Sequence, residues 1–282
     1  MKGPYIREFL KRALLEDMGS GDITTSLIVP PGHTSTARII AKSDFILAGL
    51  PFVKELFLLY DQEICFDILK EEGSEIKRGE ILAELRGRTR SILTCERTGL
   101  NILQRLSGIA TLTGRFVNAV KGTGAKILDT RKTTPGMRFL EKYAVRIGGG
   151  YNHRYGLYDG ILIKDNHIKA AGGIKRAIEI LKTSRGFHHL LRIEVEAKDI
   201  SEVKEALEAG VDIIMLDNME IEELKRAVEY IRKNAPHVLI EASGNVTPDN
   251  VRLIAETGVD FISAGMLTHS APAVDISLKI DD

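Results

Sequence analysis

KILDTRKTTPGMRFLEKYAVRIGGGYNHRYGLYDGILIKDNH, residues 126–167, sets short apolar runs against a concentration of positive charge. Ile127-Leu128 precedes Asp129-Thr130-Arg131-Lys132, Val145-Arg146-Ile147 precedes Gly148-Gly149-Gly150, and Ile161-Leu162-Ile163 precedes Lys164-Asp165-Asn166. Each run reads as a buried strand that ends in polar residues. Arg138, Lys142, Arg146, His153, Arg154 and His167 add to the charge, in a chain whose formal net charge is zero. So many cations in one window call for an anion. A solvated face is the usual account of a charge run, but such faces are not interrupted by glycine triplets and strand-like runs. Arg131, Arg154 and Lys164 each follow such a feature, which places them at the carboxyl ends of strands, where parallel α/β folds build their sites.

Downstream the same unit repeats: apolar strand, polar tip, amphipathic helix, glycine, next strand. Strands are expected at Arg192–Glu196, Ile213–Leu216, Val238–Glu241 and Phe261–Ser263. Asp199 or Ser201 can cap a helix ending before Gly210. Ile221, Leu224, Val228 and Ile231 stripe the next helix, and Thr247-Pro248 opens a third that stops at Gly258. With the strands at 127, 145 and 161 this makes about seven, and a run of alternating β and α units argues for a parallel α/β barrel, with closure undecided at seven strands in place of eight.

The N-terminal part reads differently. Ile6, Phe9, Leu10, Ala13 and Leu14 share one face of a first helix, Gly19-Ser20-Gly21-Asp22 breaks it, and Asp22-Ile23-Thr24 opens a region of short strands. Residues 35–85 are β-like, interrupted by PFVKELFLLY, which reads as a helix. Residues 88–121, with Leu93, Leu100, Leu103, Leu106 and Ile109, form one or two helices leading into the barrel. EEGSEIKRGEILAEL resembles the strand-turn-strand of biotinyl and lipoyl carriers. Those carriers need a lysine at the tip of a matching upstream hairpin, and Lys42 and Lys54 lie in other contexts. A β-sandwich geometry is the better account.

Composition narrows the function classes. The 282 residues include 44% hydrophobic and 28% charged side chains, ordinary for a globular chain. With 39 basic against 39 acidic residues there is no global field to draw nucleic acid or membrane, so the anion site is local. Cys65 and Cys95 occur outside any metal-ligand spacing and read as buried small hydrophobes. The N-terminus lacks the apolar core of a signal peptide, and a cytoplasmic protein is expected.

On the barrel reading, polar strand ends converge on one mouth: Lys164, Glu196, Asp217-Asn218, Ser243-Gly244-Asn245 and Ser263-Ala264-Gly265. Glu194 and Glu196, two apart on a strand, point the same way. A buried carboxylate there must meet a cation, and for Glu194 an ion pair with a lumen lysine such as Lys164 is the plain expectation. Glu196 and Asp217 on adjacent strands suit Mg²⁺, which binds through one or two carboxylates together with substrate phosphates. The two glycine-containing turns after the last strands suit a phosphate.

LDTRKTTPG, GGGYNHRYGLYDGILIKDNHI, EVEA, IIMLDNM, ASGNV and ISAGMLTHS, in this order and spacing, resemble the quinolinate phosphoribosyltransferase family over nearly the whole chain, from DMGSGDITT onward. The resemblance implies an N-terminal α/β sandwich-like domain (1–108 with 269–282) and an open seven-stranded barrel (109–268). It further implies Mg²⁺, phosphoribosyl pyrophosphate and quinolinate as ligands. Arg131, His153, Arg154 and Lys164 would hold the two carboxylates, with Thr130 beside them, and Lys132 the pyrophosphate or ribose. Glu196 and Asp217 would serve metal and ribose, and residues 243–245 and 263–265 the 5-phosphate. Arg97 would arrive from the other subunit of a homodimer. Lys132, Lys164, Glu196 and Asp217 form the implied catalytic set; His167 and His269 are left out of it, since a lone His in KDNHI serves equally well as a structural hydrogen-bonding group. A paralogous phosphoribosyltransferase of the molybdenum-transport type would share the barrel, but Arg131 together with His153-Arg154 favours a dicarboxylate.

Overall fold

A computed structural model describes residues 4–184 and 190–281 of the chain. Residues 1–3 and 282, which the expected domain boundaries include, lie outside the described residues. The chain divides into two compact units, residues 1–114 with 134–149 and 271–282, and residues 115–133 with 150–270.

The first unit contains helices α1 (Pro4–Met18) and α2 (Ile23–Ile28), strands β1 (Thr34–Ala41) and β2 (Phe45–Ile46), helix α3 (Leu50–Tyr60) and strands β3 (Cys65–Ile68), β4 (Glu75–Ile76) and β5 (Ile81–Arg88). Helix α4 (Thr89–Ala119) follows as one continuous element. Ile23 does not open a strand as expected. Asp22 caps α2 instead, its carboxylate accepting the Thr25 N–H at 2.9 Å.

Val145–Ile147 is not a strand either. It is the last turn of α5 (Arg138–Ile147), whose Leu140, Tyr143 and Ala144 are buried within the first unit. Glycine ends this helix: the Gly148 N–H bonds the Ala144 carbonyl and Gly149 turns at φ +87°. Buried Glu141 fastens the segment by accepting Arg105 at 2.9 Å and the Thr134 N–H at 3.0 Å. Cys65 is exposed, contrary to expectation. It lies on the edge strand β3, where alternation turns Phe66 inward and Cys65 outward.

The sheet of this unit runs β12-β1-β5-β3, where β12 (Ile276–Asp281) pairs antiparallel with β1 from Thr36↔Asp281 to Ala41↔Ile276. The returning tail crosses α4 closely. A Cβ on Gly108 would lie 2.1 Å from the Pro272 carbonyl oxygen, so glycine is required there. The carrier-like pattern is explained by β4, a turn at Gly79 and β5, which is sheet geometry alone.

The second unit is a parallel sheet ordered β6-β11-β10-β9-β8-β7. Its strands are β6 (Lys126–Leu128), β7 (Ile161–Ile163), β8 (Ile193–Ala197), β9 (Ile213–Asp217), β10 (Leu239–Ser243) and β11 (Phe261–Ser263). Tyr151 adds an isolated parallel bridge to Leu128, a rudimentary stave beyond β6 in place of the strand expected at 145. Helices α6 (Asp165–Ala171), α7 (Ile174–Ser184), α8 (Ile200–Ala209), α9 (Ile221–Asn234), α10 (Val251–Ala255) and α11 (Met266–His269) follow the strands.

Asp199 caps α8 by accepting the Ser201 and Glu202 N–H groups. Helix α10 begins at Val251, later than Thr247-Pro248 suggested, because the Asn250 carboxamide accepts the Thr247 N–H and holds that stretch as a turn. Register puts Glu194, Glu196, Met215, Asp217, Glu241, Ser243 and Ser263 on one face of the sheet. Val195, Ile214, Ile240 and Ile262, all fully buried, lie on the other. The apolar face is the helix side of an α/β layer. The loops after β6 and β7 line a common cavity although no ladder joins these strands among the described residues, so the sheet curls as an open barrel.

Candidate active site

The cavity at the carboxyl ends of the barrel strands is about 950 Å³. It is lined by Thr130, Arg131, Lys132, His153, Arg154, Lys164, Glu196, Asp217, Ser243, Gly244, Asn245, Ser263, Ala264 and Gly265. All the expected site residues of the barrel therefore meet in one place. Arg97 does not: it is an exposed residue of α4 in the first unit.

Two turns carry the cations. After β6, Asp129 is fully buried and accepts the His153 N–H at 2.9 Å and the Asn152 carboxamide at 2.6 Å. It thereby ties the Arg131-Lys132 turn to the His153-Arg154 turn. Lys132 is held through its backbone, its N–H bonded to Thr130 Oγ1 at 3.0 Å and its carbonyl accepting the Thr268 hydroxyl at 2.7 Å. A Cβ on Gly265 would come within 2.8 Å of Lys132 Cδ, so the glycine leaves the path its side chain takes.

Arg154 donates from Nη1 to the Gly160 carbonyl at 3.0 Å, while its buried Nε has no hydrogen-bond partner. Burial, and after it the positive charge of Arg131, lower the Arg154 pKa, with Glu194 opposing. Two guanidinium groups close enough to repel, one with an unmatched buried donor, form a site that an anion relieves.

His153 lies deeper. Its Nδ1 accepts the Arg154 N–H at 2.8 Å, and its Nε2 lies 3.1 Å from Glu194 and 3.5 Å from Glu241. Burial, and then the charge of Glu194, hold the Glu241 carboxyl well above the ordinary carboxylate range. Among the described residues this trio is the one group of three or more such side chains whose ligand atoms all lie within 4.8 Å of one another. Lys164 pairs with Glu196 at 3.0 Å and not with Glu194, whose neighbour is His153.

On β9, Asp217 accepts the Asn218 carboxamide at 2.7 Å, and Asn218 in turn accepts from Asn245 at 3.1 Å. Asn218 and Asn245 both take left-handed backbone conformations, φ 55° and 48°, a region that asparagine tolerates better than most residues. His167 Nδ1 accepts the Lys164 N–H at 3.0 Å, which makes it a structural cap of α6. His269 lines the cavity, with Nδ1 2.6 Å from the Ser270 hydroxyl.

Two family models cover almost the whole chain. The N-terminal domain of quinolinate phosphoribosyl transferase matches residues 22–107, and the C-terminal domain matches residues 109–279. The chain belongs to the quinolinate phosphoribosyltransferase family. A Bacillus subtilis protein named probable nicotinate-nucleotide pyrophosphorylase (carboxylating) is 44% identical over 276 residues, 98% of this chain and 93% of the relative. A Nicotiana tabacum protein named quinolinate phosphoribosyltransferase (decarboxylating) 2b is 41% identical over 98% of this chain and 82% of the relative. The crystal structure of nicotinate-nucleotide pyrophosphorylase from Ehrlichia chaffeensis has a TM-score of 0.93 at 41% identity, covering 100% of both chains.

Within this quinolinate phosphoribosyltransferase fold, three site features were not read from the sequence. In sequence Asp129 looks like any polar strand-end residue, although its place just before Thr130-Arg131-Lys132 is what lets it bridge two turns. Asn218 stands out in sequence only as the neighbour of Asp217, and its bonds to Asp217 and Asn245 appear only in the structure. Glu241 sits two residues before Ser243 on β10, a spacing that already places it on the lumen face.

Proposed function

We propose that this cavity binds quinolinate and phosphoribosyl pyrophosphate and joins them with loss of CO₂, giving nicotinate mononucleotide and pyrophosphate. The chain is an enzyme of the family just named, and the reaction is the one its relatives' names describe. The observation that carries the assignment to this cavity is the Arg131–Arg154 pair, mutually repelling and with the buried Arg154 Nε unmatched, which suits the adjacent carboxylates of a pyridine dicarboxylate.

Arg131, Arg154 and Lys164 would hold those carboxylates, with Thr130 and His153 bordering the same pocket. The ring nitrogen then faces C1 of the phosphoribosyl unit. Its lone pair forms the new C–N bond as the C1–O bond to pyrophosphate breaks through an oxocarbenium-like state. Lys132 is placed to stabilise the departing oxygens, which is electrostatic catalysis by a preorganised group. In the second step the C2–carboxylate bond breaks, CO₂ leaves, and the electron pair stays on C2 beside the positive ring nitrogen until a proton replaces it.

Glu196 and Asp217 fit Mg²⁺ by donor chemistry, hard oxygens on one face of adjacent strands. When bound with the substrate's phosphates, the ion offsets their charge. The turns at residues 243–245 and 263–265 offer backbone N–H groups to the 5-phosphate. Arg97, exposed on α4, would complete a second chain's site in a homodimer. A cytoplasmic location fits the two free cysteines, Cys65 and Cys95, which are ordinary in a reducing compartment.

The test is to supply phosphoribosyl pyrophosphate and Mg²⁺ with either quinolinate or nicotinate, and to follow mononucleotide and CO₂. Product from quinolinate with little or none from nicotinate is expected, because a site built to pair two carboxylates leaves a buried cation unmatched when one is missing. Comparable turnover of nicotinate would sink the assignment.

A further inference from the structure

We propose that Glu241 is a positioning residue for the dicarboxylate grip. With Glu194 it pins the imidazole of His153 from inside the barrel, and through that ring it sets the backbone of the turn that aims Arg154 into the cavity. The inference rests on the quinolinate reading above and adds a residue to which that reading gives no role.

His153 Nδ1 accepts the Arg154 N–H at 2.8 Å, so Nδ1 carries no proton and the ring hydrogen resides on Nε2. Nε2 faces Glu194 Oε2 at 3.1 Å and Glu241 Oε2 at 3.5 Å. Both ring nitrogens therefore already face protein groups, and the ring is only 12% exposed. In this arrangement His153 is a post that orients its neighbour, and the contacts to a second carboxylate fall to Arg131, Arg154 and Lys164.

The two glutamates come from β8 and β10, on either side of β9, so the ring is held from two directions by rigid strands. Both are almost wholly buried, Glu194 at 6% and Glu241 at 2% exposure. Burying two carboxylates against one imidazole is costly unless a geometry depends on it. The geometry that depends on it here is the His153-Arg154 turn, which Asp129 holds from the other side through the His153 N–H. Such an outer layer fixes the donor that faces the ligand, as an outer hydrogen bond fixes a metal-bound histidine.

The test compares Glu241→Gln, which keeps an oxygen to accept from Nε2, with Glu241→Leu, which does not. Quinolinate binding is measured by calorimetry, KM is measured for each substrate, and the histidine ring nitrogens are followed by ¹⁵N NMR, with His153 assigned by loss of its signal in His153→Asn. Glu241→Leu is expected to weaken quinolinate binding about tenfold or more, the scale on which outer partners act. KM for phosphoribosyl pyrophosphate should stay within about twofold, and Glu241→Gln should recover most of the loss, because the restored acceptor rebuilds the hold on Nε2.

Wild-type His153 should show the Nε2–H tautomer. An Nδ1–H tautomer in the wild type overturns the proposal even if Glu241→Leu does not fold. Equal losses for both substrates, or unchanged quinolinate affinity in Glu241→Leu, overturn it as well. Failure of the wild type to bind quinolinate at all would instead remove the functional reading on which the proposal stands.

Discussion

Gly244→Ala places one methyl group against the polar chain that steadies Asp217. Gly244 has φ +95°, and a Cβ built there lies 2.1 Å from Asn218 Oδ1 and 2.4 Å from its Cγ. The carboxamide must swing away by about an ångström or more to reach ordinary van der Waals separation. That motion breaks the Asn218–Asp217 bond of 2.7 Å and the Asn245–Asn218 bond of 3.1 Å.

A hydrogen bond to a carboxylate is worth about 1.5–3 kcal/mol when shielded, and nearer 1 kcal/mol at an exposed residue such as Asn218. Left-handed backbone adds about 1–2 kcal/mol for a residue with a Cβ. Folding stability should therefore fall by about 2–3 kcal/mol, and kcat/KM for phosphoribosyl pyrophosphate by roughly 10- to 100-fold if a freed Asp217 loses about 1.4–2.8 kcal/mol of alignment. Quinolinate binding should change little.

The informative assay is a double-mutant cycle with Asn218→Ala, in which the methyl group no longer meets a carboxamide. There Gly244→Ala should cost only the backbone strain. Equal losses in both backgrounds, or near wild-type use of phosphoribosyl pyrophosphate by Gly244→Ala, would refute the mechanical link from Gly244 to Asp217.

Glu196→Ala and Asp217→Ala should impair phosphoribosyl pyrophosphate use while leaving quinolinate binding largely intact; calorimetry showing lost quinolinate binding in both folded variants would reverse that division of labour. Arg97→Ala and Arg154→Ala should each be nearly inactive alone, since losing a buried charge contact costs roughly 2–5 kcal/mol, yet recover activity when unfolded, mixed and refolded. No recovery in samples shown to contain mixed dimers would return Arg97 to the status of an ordinary helix arginine. In the first unit, the Arg88 guanidinium beside Asp61 holds its carboxyl far below the ordinary carboxylate range, against the opposing effect of burial. A depressed acid stabilises the fold above its unfolded value of about 3.9 and loses that contribution as pH falls toward the folded value. Asp61→Asn should therefore be less stable than wild type at pH 7 by about 1–3 kcal/mol, with the gap narrowing below about pH 4 in denaturant titrations; a gap independent of pH would contradict the account.

The barrel strands from β7 onward could be read from sequence because each unit repeats the same local grammar, an apolar run closed by a polar tip and followed by a capped helix. Val145–Ile147 obeys the first half of that grammar without being a strand. Its apolar residues continue the buried surface of α5 that includes Leu140, Tyr143 and Ala144, and the glycines after it are a helix terminus, not a strand-end loop. Asp22 belongs to the break after α1, as expected, and also caps α2 where short strands are expected. Arg131, Lys132, Glu196 and Asp217 were found because strand ends in a parallel sheet must converge. The role of Glu241 was hidden because it is defined by His153, which reaches it from a distant turn, and no periodicity along β10 encodes that partner.

Strand β12 lies against β1, yet the ribosome makes it about 240 residues later, after every stave of the barrel. During synthesis β1 is consequently bonded on one side by β5 and open on the other, with Ala37, Ile39 and Ala41 on the flank of an incomplete sheet. An unpaired edge invites strands from other nascent chains. The barrel pairs β7 through β11 in chain order and leaves β6 waiting for β11, whereas the first unit stays unfinished until β12 is made. Deleting β12 would therefore leave a lasting adhesive edge on an otherwise complete barrel enzyme.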